Sequence, residues 1–265
     1  MIDSITVEVI RHSMLSACNE MARNLCRTAY NTIVYEIHDY GISLHDSDGN
    51  CIAEAPGIAI FSGANDFGVQ KGIEFIGREN FKQGDVYLCN YPYWSAAHTL
   101  DALVFAPILV DGVLVGFSSC RVHLLDLKQK DAGYVLDSTD MSQEGIFFPC
   151  SKIYDQGKIC DDIFNIIRFN SRMPERTIGD LQAQVSAVHT GDVRLREIVN
   201  KFSLKSVIEA MEEINQHGER LSRAAVARLP KGTWTASDFL GLAWLVGDAV
   251  LLNGGVVAAI TAALS

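Results

Sequence analysis

The sequence predicts an α+β protein: a mixed sheet with hairpins in the N-terminal half, packed by long helices from the C-terminal half. Three observations carry that prediction. Asp111-Gly112 sits between the apolar runs APILV and VLVGFSSC, and Asp-Gly between such runs is a strong short-range hairpin signal. Asp48-Gly49 repeats the signal inside TIVYEIHDYGISLHDSDGNCIAEA. From Asp161 to about Arg228 the apolar residues recur at helical spacing instead.

Taken in order, Val9, Ile10, Leu15, Met21, Leu25 and Cys26 predict an opening helix from residue 5 to near Tyr30. The stretch 32–55 reads as two strands joined at Asp48-Gly49. Asp39 falls inside the first of them, among Ile37, Tyr40 and Ile42. A carboxylate there is costly to bury unless it is paired or bound to a metal; the alternative puts it on the strand's solvent face. Gly57 to Gly68 is glycine-rich, and Val69 to Asn80 reads as a short helix. After the central hairpin, Ala132 to Pro149 reads as irregular. Its Glu144, beside Gly145, is either a catalytic carboxylate or a solvated turn residue. Ser151 to Tyr154 with Gln156-Gly157 predicts one more short hairpin. Asp161, Asp162 and Ser171 offer helix starts, as does Pro174 with Thr177. Ile178, Leu181, Val185 and Val188 then mark one face of a long helix.

The predicted organisation is one region over 1–240, strand-rich over 31–160 and helical over 161–228, and an apolar tail over 241–265. That tail carries a single charged side chain, Asp248. A spanning helix needs about 20 apolar residues, and Gly247, Asp248, Asn253, Gly254 and Gly255 interrupt this run. It reads as a buried element or as sequence foreign to the domain, and the abrupt loss of charge points to a truncated or frame-shifted chain.

Of the 265 residues, 48% are hydrophobic and 20% charged, the balance of a globular protein. The net charge of −10 is not accompanied by a basic cluster, which argues against nucleic acid as a partner. Seven cysteines, an odd number with no Cys-x-x-Cys, argue against a zinc finger and a secreted disulfide scaffold. The N-terminus carries acids and lacks a signal-peptide core, so the expected setting is a reducing cytoplasm with no membrane partner.

The chemistry concentrates around the central hairpin. His98-x-x-Asp101 precedes its first strand and His123-x-x-Asp126 closes its second. A hairpin brings its two ends together, so residues 22 to 25 positions apart converge. Imidazoles and carboxylates held by adjacent strands suit a borderline or hard divalent metal such as Zn, Mn or Fe. The bland reading is a histidine hydrogen-bonded to a neighbouring carboxylate, and spacing alone does not separate the two.

Over its first 240 residues the sequence resembles the hydantoinase B/oxoprolinase family, which includes acetone and acetophenone carboxylase alpha-type subunits. The residues carrying the resemblance are ITVEVIRHSM, Arg27-Thr28-Ala29-Tyr30, GDVYLCNYPYWSAAHTLD, RVHLLDLKQKDAG, QEGIFFP and GDLQAQVSA. It implies Asp39, His98, Asp101 and His123 as metal ligands, and Asp126 as a carboxylate that orients a ligand or assists proton transfer. It also implies ATP bound by a separate hydantoinase A-type subunit; this chain has no Gly-x-x-x-x-Gly-Lys-Ser/Thr loop of its own. Two departures stand out. Asn90-Tyr91-Pro92-Tyr93 replaces the usual Asn-Asp-Pro-Tyr, and Ser95-Ala96-Ala97-His98 replaces Gly-Gly-Thr-His. Family members are also much longer.

The expected function is the metal-bearing subunit of an ATP-dependent enzyme that hydrolyses a cyclic amide. Two alternatives stay open: a subunit of an ATP-dependent ketone carboxylase, and a non-catalytic structural paralogue. The substrate is accordingly a small cyclic amide or a ketone.

Overall fold

The computed structural model describes residues 2–61, 63–95, 98–131, 135 and 137–229, so the apolar tail predicted over 241–265 lies outside the described residues. The chain divides into two compact units at Glu213.

In the first unit, helix α1 (Ser4–Thr28) starts where the Asp3 side chain accepts the Thr6 N–H, a standard N-cap. It buries Val7, Ile10, Met14, Cys18, Met21 and Leu25 along one stripe. A short helix α2 (Thr32–Tyr35), capped by Asn31, then leads to β1 (Tyr40–Asp46) and β2 (Cys51–Ala55). The second of the predicted strands is thus present, but the first begins eight residues later than expected. Asn31 is the reason: its side chain accepts the Ile33 N–H and starts a helical turn that the β-branched residues alone would not. Asp39 therefore precedes the strand instead of lying inside it.

Helix α3 (Ala64–Ile76), the short β3 (Val86–Cys89) and the turn α4 (Pro92–Ser95) lead into the hairpin of β4 (Asp101–Val110) and β5 (Val113–His123). Asp111 and Gly112 have φ of 51° and 78°, the left-handed pair that a two-residue hairpin turn requires. The hairpin of β6 (Ser151–Asp155) and β7 (Lys158–Ile159) matches the sequence reading. Among the described residues, α5 (Asp161–Asn170), α6 (Pro174–Phe202) and α7 (Leu204–Val226) follow. Pro174 occupies the first turn of α6, where its missing N–H costs nothing.

Among the described residues seven strands form one sheet in the order β2-β1-β5-β4-β3-β6-β7, so the α+β class holds. Its pairings are antiparallel, which sharpens the sequence reading of a mixed sheet. Helices α1 and α6 pack together against one face, where Ser118 Oγ donates to Val188 O. Helix α3 lies on the other face. A Cβ on Gly72 would sit 2.5 Å from Cζ of Phe105, so glycine is what allows that approach. Burial on both faces explains why β4 reads as an almost unbroken apolar run. On the α3 side Val69, Phe81, Tyr87, Cys89, Leu103, Phe105, Phe117 and Cys150 form an apolar cluster.

The second unit begins inside α7, and its described residues, 213–229, are helical as far as Val226. Among the described residues no helix is long and apolar enough to cross a membrane.

Candidate functional site

The hairpin delivers two of the predicted residues by register. Asp101 opens β4, His123 closes β5, and the two are direct cross-strand partners. Their meeting depends on a one-residue irregularity: pairing steps from Ile108↔Gly116 to Leu109↔Leu114, leaving Val115 as the extra residue. An uninterrupted ladder from the turn would pair Asp101 with Val122 and send His123 to the opposite face. His98 comes in through a tight turn in which the Asp101 N–H donates to His98 O at 3.1 Å.

Donor atoms of His98, Asp101 and His123 all lie within 4.8 Å of one another. Asp101 Oδ1 is 3.2 Å from His123 Nδ1 and 3.6 Å from His98 Nδ1, and the two imidazole planes are nearly perpendicular at 86°. Asp101 and His123 are buried, whereas the His98 side chain keeps 24% exposure, so the group is reached from the His98 side. Burial alone would raise the Asp101 carboxyl. The His123 hydrogen bond and the charges of His98, His123 and Arg121 outweigh it and hold the group below its ordinary value. An ionised carboxylate and two imidazoles converging in a desolvated corner are a donor set that fits Zn, Mn or Fe.

The other predicted residues are placed differently. Asp39, half-buried, reaches the edge of the group: its carbonyl accepts the His123 N–H at 3.5 Å and its N–H donates to Ile33 O. It is not among the three residues whose donors converge. Burial raises its carboxyl, and the Asp101 charge adds to this against the pull of His123 and His98. Asp126 is fully buried and turned toward the junction of α5 and α6. It accepts the Lys128 N–H, the Ser171 hydroxyl and both the backbone and side-chain N–H of Arg172. Glu144, half-buried, accepts the Ser138 hydroxyl at 2.6 Å and is not among the three residues whose donors converge.

The family model for hydantoinase B/oxoprolinase matches residues 3–263. The chain belongs to the hydantoinase B/oxoprolinase family. Over 244 residues it is 34% identical to a Pseudomonas sp. (strain NS671) protein provisionally named as the B-type subunit of a D-/L-hydantoinase, covering 90% of this chain and 41% of that one. It is 29% identical over 240 residues to the beta chain of the caprolactamase of Pseudomonas jessenii, again 90% and 41%. The crystal structure of the ATP-dependent caprolactamase from that organism superposes with a TM-score of 0.85 at 28% identity, over 91% of this chain and 42% of that one. The nucleotide-free acetone carboxylase structure shares the fold, with a TM-score of 0.80 at 17% identity over 86% and 31%. The chain thus spans about two fifths of the length of the hydantoinase and caprolactamase relatives it matches.

Several buried polar residues support the site that sequence reading did not pick out. Asn90, first residue of the Asn-Tyr-Pro-Tyr variant, donates to Thr99 O and Ile146 O and accepts the Phe148 N–H, tying the approach to His98 to the residues before β6. Arg121, 1% exposed, lies two residues before His123; its Nη2 donates to Ala64 O and its guanidinium sits over the Phe61 ring. Asp180 and Gln184 sit on the buried face of α6. The one sequence signal for them is an acid and an amide four positions apart on an otherwise apolar stripe.

Proposed function

We propose that this chain is the metal-bearing part of an ATP-dependent enzyme that opens a small cyclic amide. The convergence of His98, Asp101 and His123 at the end of the central hairpin carries this reading. Its relatives include a caprolactamase chain and proteins named 5-oxoprolinase, which supports a lactam-like substrate. In this reading His98, Asp101 and His123 hold a Zn, Mn or Fe ion, and Asp39 stands beside them as fourth ligand. Such an ion supplies Lewis acidity toward an amide carbonyl and lowers the pKa of water at the site.

The chain's own residues do the rest. Asp101, kept ionised by the imidazoles and by Arg121, supplies negative charge in a desolvated corner where it acts strongly. Asp126, occupied by Arg172, Ser171 and Lys128, anchors the segment after His123. Glu144 keeps an accessible carboxylate and is the proton-transfer candidate of the two. ATP is bound by a hydantoinase A-type partner subunit, and the work takes place in the cytoplasm. A ketone carboxylase is the second reading, supported by the fold shared with acetone carboxylase.

The test is metal content by mass spectrometry on the chain co-purified with its partners, followed by substrate assays. About one Zn, Mn or Fe per chain with ATP-dependent opening of hydantoin, 5-oxoproline or caprolactam supports the hydrolase. The same metal with ATP-dependent fixation of bicarbonate onto acetone or acetophenone selects the carboxylase. Absence of metal from the purified complex would leave a structural paralogue.

A further inference from the structure

Two stretches that carry the family resemblance, the Tyr30 end of α1 and the GDLQAQVSA stretch of α6, meet behind the candidate site. We infer that Asp180 and Gln184 are positioning residues through which α6 sets the distance between Asp39 and the group formed by His98, Asp101 and His123. This rests on the metal reading above.

The connections run in two directions from one helix face. Tyr30 lies flat on α6: a Cβ on Gly179 would sit 2.6 Å from two atoms of its ring. Asp180 Oδ1 accepts the N–H groups of Tyr30 at 2.7 Å and Asn31 at 3.2 Å. Asn31 uses its Oδ1 to start α2 and its Nδ2 to donate to His123 O at 3.5 Å. Helix α2 in turn receives the Asp39 N–H on Ile33 O at 2.9 Å, and His38, with φ of 61°, turns the chain toward the sheet. One helical turn beyond Asp180, Gln184 Nε2 donates to Ala102 O at 2.8 Å and Cys120 O at 2.9 Å. Those carbonyls belong to the two strands that end in Asp101 and His123.

Asn31, Asp180 and Gln184 are each buried, at 5%, 1% and 0% exposure. Apolar side chains would hold a helix on a sheet at least as well, because burying polar groups costs desolvation that packing does not. What the polar set adds is directional hold on both the segment ending in Asp39 and the hairpin ends. A ligand group of mixed origin needs its members fixed to within about 0.5 Å.

The test uses Co2+ as a visible-absorbing probe, titrated into metal-free protein and competed with a chelator. Wild type and His98→Ala/His123→Ala run as controls beside Asp180→Asn, Asp180→Leu, Gln184→Leu and Asn31→Ala. Asp180→Asn keeps an acceptor for both N–H groups and should bind within about twofold of wild type. Asp180→Leu, Gln184→Leu and Asn31→Ala should each weaken binding roughly 10–100-fold, the range for residues that orient ligands, with a changed absorption band. Asn31→Ala leaves α6 untouched and decides the matter if the leucine variants fail to fold. Wild-type affinity and an unchanged band in the folded variants would overturn the inference while leaving the metal reading intact. No Co2+ binding by wild type would overturn both.

Discussion

Asp101 and His123 face each other as cross-strand partners at the end of the β4–β5 hairpin, with Oδ1 of one 3.2 Å from Nδ1 of the other. Neither side chain has room to turn away, since each is 2% exposed. The pair is therefore fixed in place, and His98, at 24% side-chain exposure, is the accessible third member of the group.

Truncating the imidazoles should remove the metal without removing the fold. His98 contributes little to the core, so His98→Ala should melt close to metal-free wild type, while its metal content drops from about one per chain toward none. His123→Ala should also lose metal and cost about 1–3 kcal/mol from the buried vacancy and the hydrogen bond lost to Asp101. Mass spectrometry and calorimetry on the same preparations check both. Full metal retention in the double variant would place the ion elsewhere.

Asp126 should behave as an anchor. Asp126→Ala removes the acceptor for Arg172, Ser171 and the Lys128 N–H, at a cost of about 2–3 kcal/mol in urea unfolding. Metal content in the folded fraction should be retained. Loss of catalysis with stability untouched would instead make Asp126 a proton carrier.

Close helix packing gives a sharper stability test. Gly72→Ala puts a methyl 2.5 Å from the Phe105 ring and should cost about 1–3 kcal/mol by forcing α3 off the sheet. Gly218→Ala, in α7 with open space around it, should be neutral to slightly stabilising because alanine favours the helix. Equal effects from the two substitutions would contradict the packing described.

Stability against pH should turn on His45 and Asp66, whose Nδ1 and Oδ1 lie 3.6 Å apart. Burial lifts the Asp66 carboxyl to about 6, against the pull of the Cys51 N–H. Burial also holds the His45 imidazole down at about 4, against its hydrogen bond to Gly49 O. Between pH 6 and 3.8 the folded chain binds a proton at Asp66 that the unfolded chain does not, so this contribution rises as pH falls. Between pH 6.5 and 4 the unfolded chain protonates His45 and the fold does not, so that contribution falls. The slopes oppose. Asp66→Asn leaves only the second, so the variant should exceed the parent in stability at about pH 7.5 and lose that advantage by about pH 4.5. An advantage that persists undiminished in acid urea titrations would refute the assignment.

Much of this was legible locally. Asp111-Gly112 and Asp48-Gly49 announced their hairpins because residues that accept a left-handed backbone, as Asp111, Gly112 and Gly49 do, leave few other conformations between apolar runs. The helices after Asp161 followed from periodicity, and Pro174 marked the start of α6. The opposite happened at Thr32 to Tyr35: β-branched residues suggested strand, and the Asn31 cap made a helical turn. Cap chemistry outweighed weak propensity there.

The sequence by itself determined most of the elements, the hairpin ends and the residue types that meet there, because turns and periodicities are set by neighbours along the chain. Only the tertiary structure decided the strand order, the extra residue at Val115 that puts His123 on the same face as Asp101, and the capture of Asp126 by Arg172 46 positions away. It also decided that Asp39 arrives at the site on a segment held by Asp180, 149 positions from Asn31. Such hydrogen bonds join residues far apart in the chain, leave no local pattern, and form only once α6 has docked on the sheet.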